Sequence, residues 1–288
     1  MKVGLVGAGP WANMVHAPIL ANHPDTELVA VWARRPEAAE ELAGKHGAAV
    51  APTFEQLLHW CEAVAFCVPP DVQAAMAITA ARAGKTLLLE KPIALDLRAA
   101  EALAEAVDAA GVRSVVLLSF RYSDLVAEFI AKSTTIGRIL GGHGSMVSGA
   151  LKPGSPFATP WRLERGPLLD LGPHVVDLVD AAVGPVASVK ATGDARGWVS
   201  LLLEHTSGAT SSVDLCANAG IGSMTGVEVY GEGGSAVLDG SKATDATSMM
   251  NVPKALAAAA RGEPTAAPDV HRGLYLQRLL SQAERQLR

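Results

Sequence analysis

The first 120 residues repeat one pattern, a short apolar run rich in β-branched residues followed by a longer, alanine-rich stretch with helical spacing. The runs fall near 2–6, 27–32, 48–51, 63–68, 85–90 and 112–118, with helical stretches near 11–22, 36–46, 54–59, 71–83 and 96–110. Parallel strands need a crossover between them, normally a helix, and this alternation supplies one each time. The punctuation agrees: Pro10 and Pro36 suit first helical turns, and Gly47, Gly84 and Gly111 follow helix ends. The spacing therefore predicts a doubly wound α/β domain with a parallel sheet over residues 1–120.

After Arg121 the rhythm changes. A helix near 124–132 leads to a glycine-punctuated strand over 138–149, an irregular proline-rich segment over 152–167 and a helix near 173–183. Four apolar runs follow at 186–193, 198–205, 209–216 and 225–239, too closely spaced for crossovers and so expected to pair antiparallel. Residues 121–288 thus read as an α+β domain, for substrate binding and oligomerisation, with an open, mainly antiparallel sheet. Val270, Leu274, Leu280, Ala283 and Leu287 share one face of a last helix, 269–287, expected to pack back on the body. An open sheet leaves one face to be covered, which points to a homo-oligomer, a dimer or tetramer.

Composition narrows the function classes. The 288 residues exceed one usual core, and 49% hydrophobic with 18% charged residues suits a large buried interior. A net charge of -5 argues against a nucleic-acid surface, and Arg272, Arg278, Arg285 and Arg288 read as the wet face of the terminal helix. Cys61, Cys67 and Cys216 lack CxxC or Cys/His metal spacing, so neither a disulfide framework nor a metal site is expected. Val3–Val6 is too short for a signal-peptide core and no stretch reaches membrane-spanning length, so the expectation is a cytoplasmic protein without membrane contact.

The apolar run 2–6 ends in Gly7-Ala8-Gly9-Pro10-Trp11-Ala12. There the first glycine permits a tight turn, the second lets a pyrophosphate approach a helix N-terminus, and Ala12 fills the position that needs a small residue for packing. Between a strand and a helix, this is a dinucleotide loop. An acidic residue at the end of the second strand would hold a ribose 2'-hydroxyl, but this chain has Ala33-Arg34-Arg35. Two guanidinium groups offer bidentate donors to a 2'-phosphate, so NADP(H) is preferred and NAD(H) remains possible.

Lys91 follows the run Thr86–Leu89, at the carboxyl edge of the sheet, where open α/β folds bind ligands. With this lysine, a set of ordered matches resembles the Gfo/Idh/MocA (glucose-fructose oxidoreductase / inositol dehydrogenase / MocA) superfamily over nearly the whole chain. They are the GxGxxA loop, Val68-Pro69-Pro70-Asp71, Ala83-Gly84-Lys85, Glu90-Lys91-Pro92, Ser119-Phe-Arg121-Tyr122, Trp161-Arg162, and Gly166-x-x-x-Asp170-x-Gly172-x-His174-x-x-Asp177. The resemblance implies a nucleotide domain followed by an α/β domain, with Lys91, Asp170 and His174 as the catalytic set. It also extends the cofactor site to Val68, Pro69, Pro70, Glu90 and Lys91.

The chemistry fits those roles. An imidazole can exchange a proton with a carbonyl or alcohol oxygen at neutral pH, a lysine can stabilise charge on it, and Asp170 can orient His174 or substrate. Glu90 and Asp177 read as structural carboxylates. Arg121, Tyr122, Trp161 and Arg162, with Lys91, Asp170 and His174, are the candidates to bind substrate; the aromatic and arginine groups fit a domain interface equally well.

Two departures concern the pocket: Glu164-Arg165-Gly166-Pro167 stands where many relatives carry a glycine pair or triplet, and Gln73 where they often have histidine. The expectation is an NADP(H)-dependent oxidoreductase for a small polyhydroxylated substrate, such as a sugar, cyclitol or derivative. Its alternatives are a reductase of a cyclic imine or other non-sugar substrate, and a dinucleotide-binding regulator without turnover.

Overall fold

The computed structural model of the chain describes residues 1–287, so Arg288 of the wet-face series lies outside the described residues. Two compact units divide the chain, one of Met1–Leu117 with Met249–Leu274, the other of Leu118–Ser248 with the residues from Tyr275 onward. The sequence predicts a second domain over all of 121–288, whereas the structure returns Met249–Leu274 to the first unit.

The first unit holds a parallel six-stranded sheet of β1 (Lys2–Val6), β2 (Glu27–Trp32), β3 (Ala49–Val50), β4 (Ala63–Phe66), β5 (Thr86–Leu89) and β6 (Ser114–Val116), in the order β3-β2-β1-β4-β5-β6. Its connections are a π-helical turn (Ala12–His16) running into α1 (Ala17–Asn22), then α2 (Pro36–His46), α3 (Phe54–Trp60), α4 (Pro70–Arg82) and α5 (Leu97–Ala110). Val3–Val6 and all of β4 are buried, as expected of strands covered on both faces. Thr53 and Asp96 fix helix starts by accepting from the Gln56 and Ala99 amides at 3.2 and 2.8 Å. The strand order reverses between β1 and β4, where such sheets open a crevice at their carboxyl ends.

The returning segment closes the sheet edge. The Val116 amide donates to the Pro268 carbonyl at 2.7 Å, and the Val270 amide to Ser114 Oγ at 3.0 Å. An edge strand exposes unpaired backbone groups, and these bonds satisfy part of that demand.

The second unit contains α6 (Asp124–Ser133), β7 (Ile139–Val147), α7 (Pro160–Asp170), α8 (Gly172–Val183), β8 (Val186–Gly193), β9 (Trp198–His205), β10 (Thr210–Cys216), β11 (Met224–Gly231) and β12 (Gly234–Asp239). The sheet order is β12-β11-β7-β10-β9-β8, and every pair is antiparallel except β7 with β10. The apolar run read as 225–239 is two strands, reversed at Glu232-Gly233. Part of the segment read as irregular is α7, and α8, buried along nearly all its length, packs on β7 and β11.

Beyond the sheets come α9 (Ala246–Met249), α10 (Asn251–Ala260), which packs on β5 and β6, and α11 (Val270–Glu284). Among the described residues no helix is long and apolar enough to cross a membrane.

Candidate active site

The glycine loop leaves β1 at the reversal of strand order. The Cys67 amide donates to the Val6 carbonyl and the Gly7 amide to the Trp32 carbonyl, both at 2.8 Å, so the ends of β1, β2 and β4 are tied together. Gly7 has φ 113°, and a Cβ there would sit 2.2 Å from the Cys67 carbonyl oxygen. A Cβ on Gly9 would meet nothing within 4 Å. The protein's own backbone thus demands the first glycine, while the second borders open space at a helix start, a cradle that suits a pyrophosphate.

The other cofactor candidates surround this turn. Ala8 is half-buried, Pro10 is exposed and opens the helical turn, and Val68 and Pro69 are half-buried beyond β4, where Pro70 begins α4. Asn13 Nδ2 braces the loop by donating to the Ala8 and Gly9 carbonyls at 3.4 and 3.2 Å. Ala33 is half-buried, and Arg34 and Arg35 are exposed without an ion pair among the described residues. These residues fit a dinucleotide.

Trp11 reaches the turn beyond β5. Its indole N–H donates to Glu90 Oε1 at 2.7 Å, and His16 Nε2 meets the same oxygen at 2.7 Å. Trp11 and His16 are five residues apart and would diverge on an α-helix. The wider π turn between them brings both to one carboxylate. Glu90 Oε2 accepts the Lys91 amide at 3.2 Å. Burial pushes the Glu90 carboxyl up, but the His16 hydrogen bond and charge, the Lys91 charge and the Trp11 N–H together hold it below the ordinary carboxylate value. Cys67 also lies close, with potential ligand atoms of His16, Cys67 and Glu90 all within 4.8 Å of one another. Two donors already fill Glu90 Oε1, so the group is a hydrogen-bonded cluster as it stands.

Half-buried Lys91 precedes a cis peptide to Pro92 at the carboxyl end of β5. The turn is gripped from behind by Gln73, which the sequence reading noted only as a departure. Nothing local in the sequence links positions 73 and 90.

In the second unit, α7 and α8 meet around the predicted acid and histidine. Asp170 ends α7 and His174 lies in the first turn of α8, at 4% and 8% exposure. The Arg162 Nε–H donates to Asp170 Oδ1 at 2.9 Å, and the guanidinium lies over the Trp161 ring at 4.9 Å. The His174 ring stands edge-on to Phe120, with centroids 5.5 Å apart. Arg121 Nη1 donates to both Asp177 oxygens at 3.2 Å, and Tyr122 is buried. Two arginines read as substrate-holding groups therefore have internal carboxylates as partners. The Asp170–Arg162 pair, eight residues apart, was missed because a kink at Gly166 lies between them.

Comparison with known proteins agrees with this anatomy. Residues 1–118 match the family described as "Oxidoreductase family, NAD-binding Rossmann fold", and residues 125–237 match "GFO/IDH/MocA C-terminal domain". The inositol 2-dehydrogenase of Rhizobium meliloti (strain 1021) is 30% identical over 250 residues, covering 82% of this chain and 74% of that protein. Glucose-6-phosphate 3-dehydrogenase of Bacillus subtilis (strain 168) is 28% identical over 187 residues, 62% of this chain and 52% of that protein, so the match spans about half of that relative. Among solved structures, the WlbA dehydrogenase of Bordetella pertussis, in complex with NADH and UDP-GlcNAcA, has the same fold, with a TM-score of 0.87 at 24% identity over 99% of this chain and 95% of that one. The chain belongs to the Gfo/Idh/MocA family of NAD(P)-dependent oxidoreductases.

Proposed function

We propose that this protein is an NADP(H)-preferring dehydrogenase or reductase acting on a CH–OH or C=O carbon of a small polyhydroxylated substrate, a sugar, cyclitol or derivative. The observation that carries the reading is the Glu90 carboxylate. It ties the glycine-loop helix, through Trp11 and His16, to the turn that bears Lys91, so the lysine is held beside the cofactor loop. The activities named for the inositol and glucose 6-phosphate relatives support the substrate class.

A nicotinamide dinucleotide held by the glycine loop would supply the hydride chemistry. In this reading His174 would exchange the accompanying proton with a substrate oxygen, and the Lys91 ammonium would hydrogen-bond the substrate to stabilise developing charge. Asp170, itself held by Arg162, orients substrate or imidazole. Gly7, Ala8, Gly9 and Pro10 would hold the pyrophosphate, with Val68, Pro69 and Pro70 as further cofactor contacts. Ala33 leaves room for a 2'-phosphate, and the exposed Arg34 and Arg35 supply its donors. Half-buried Trp161 adds apolar surface for a sugar ring, whereas Tyr122 is buried and offers such a ring little. We also propose a homo-oligomer, dimer or tetramer, through the open face of the second-unit sheet.

The test is a fluorescence titration with NADPH and NADH, followed by turnover with myo-inositol, glucose, glucose 6-phosphate, their keto forms and a cyclic imine. Tighter NADPH binding with turnover of a polyol or keto-sugar is expected. Equal affinities remove the 2'-phosphate assignment, turnover of the imine alone changes the substrate class, and binding without any turnover makes the protein a regulator.

A further inference from the structure

We propose that Gln73 is a positioning residue for Lys91, holding the backbone of the lysine's turn so that the ammonium is delivered to the substrate oxygen. The inference rests on the reading of Lys91 above.

Gln73 has no exposed surface and sits in the first turn of α4, where its own amide donates to the Pro69 carbonyl at 2.9 Å. Both ends of its side chain go to one tetrapeptide. Oε1 accepts the Glu90 amide at 2.8 Å, and Nε2 faces the carbonyls of Glu90, Ile93 and Pro92 at 2.8, 3.2 and 3.3 Å. Lys91 is the second residue of that tetrapeptide, enclosed by the groups that Gln73 holds.

The demand for such a brace comes from the chain itself. Residues 90–93 lie beyond the end of β5 and before α5, outside any ladder or helix, and Pro92 has no amide to donate. Their carbonyls turn into a protein interior where unpaired polar groups are costly. One side chain meets four backbone groups, its two amide hydrogens shared among three carbonyls. A carboxamide is the one side-chain group that presents an acceptor and a two-hydrogen donor at the ends of one plane, which is the pattern this turn requires. Glutamate would place a charged oxygen against three carbonyls, and methionine would offer neither bond.

Glu90 and Gln73 act on different parts of the turn. Glu90 uses its carboxylate to join the glycine-loop helix, and Gln73 fixes the main chain from α4. A lysine has four rotatable side-chain bonds, so its ammonium is only as well placed as its Cα. Misplacement of a reacting group by about 1 Å can cost about a hundredfold in rate.

The test combines Gln73→Glu, Gln73→Met and Lys91→Ala, alone and in pairs, assayed with the best substrate of the panel. Each Gln73 variant should lower kcat by about ten- to a hundredfold, with the dinucleotide affinity changed less than about threefold. On the Lys91→Ala background the same substitutions should cost less than about twofold further. A Lys91→Ala defect with a fully additive Gln73 loss would overturn the positioning role alone. Unchanged turnover in Lys91→Ala would remove the lysine's chemistry, and this inference with it.

Hydrogen exchange supplies a readout that needs no substrate. In Gln73→Met, the backbone amides of Glu90, Lys91 and Ile93 should exchange at least about tenfold faster, while those of β1 and β4 keep their protection. Unchanged exchange over 90–93 would show that Gln73 does not hold the turn.

Discussion

An alanine at position 7 would put its Cβ 2.2 Å from the Cys67 carbonyl oxygen at φ 113°, whereas one at position 9 would touch nothing within 4 Å. Gly7→Ala should therefore cost about 2–4 kcal/mol in urea unfolding, and Gly9→Ala less than about 0.5 kcal/mol. Gly9→Ala should instead weaken dinucleotide binding about tenfold or more, since its methyl group occupies the open side of the cradle. Retained affinity in a folded Gly9→Ala would place the pyrophosphate elsewhere. Glu90 gives a prediction in pH. Its carboxyl is held below its ordinary value of 4.5, so its contribution to stability is complete above that pH and is lost as pH falls through the lower folded value. Unfolding free energies measured from pH 6 to 3 should fall less steeply in Glu90→Gln than in the native chain below pH 4.5, by up to about one proton's slope. Parallel profiles would mean that the carboxyl is not held ionised in the fold. Gly7, Gly9, Lys91, Asp170 and His174 stand out in the sequence because each sits in a motif with local spacing. The Gln73 brace and the shared Glu90 oxygen do not, because they join positions 17 and 74–79 residues apart.

The kink in α7 shows why elements differ in how readily the sequence reveals them. The strands of the first sheet are uniform apolar runs with glycine or proline at their ends, so their limits were legible to within a few residues. Pro160, Gly166 and Pro167 read as breakers, yet Pro160 opens α7, where a missing amide costs nothing, and Pro167 restarts the helix after Gly166. Gly166 has φ 68° and ψ -165°, a region open essentially to glycine alone, and a Cβ there would lie 2.0 Å from the Ala195 carbonyl oxygen in the β8–β9 turn. The helix breaks because another segment passes against it, which local composition does not encode. Gly166→Ala should cost about 3 kcal/mol or more by urea unfolding, because relief of the clash requires moving either α7 or the turn. A loss below about 1 kcal/mol would mean that the kink is not imposed by this contact. The same movement would shift Asp170 relative to Arg162, so a folded Gly166→Ala should also lose turnover.

At the scale of the whole chain, long-range order is what the sequence conceals. The four apolar runs after residue 186 announce antiparallel neighbours, but nothing in them says that β7 inserts between β10 and β11, parallel to one and antiparallel to the other. Nor does composition mark Met249–Leu274 as returning to the first unit, because its pairing partners at Ser114 and Val116 lie some 150 residues away. Once the register is known, the open face of the second sheet can be read across its strands. One row runs Val237, Glu228, His143, Ser212, Leu202 and Lys190. Val237 and Leu202 are 61% and 44% exposed, and Met224 and Trp198, elsewhere on this face, are 62% and 49% exposed. The polar groups between them are largely paired within the sheet, His143 with Ser212 at 2.9 Å and Asp214 with Ser200 at 2.5 Å. A face with its polar groups internally bonded and its apolar groups outward can be covered by a second copy without stranding donors or acceptors. Sedimentation should therefore give a dimer or tetramer, and Leu202→Lys with Met224→Lys should shift it to the monomer, because a two-fold interface meets each new charge twice. Both side chains are already largely exposed, so the variant should keep its circular dichroism and dinucleotide binding. A native monomer, or an assembly unmoved by both lysines, would take the sheet face out of the interface.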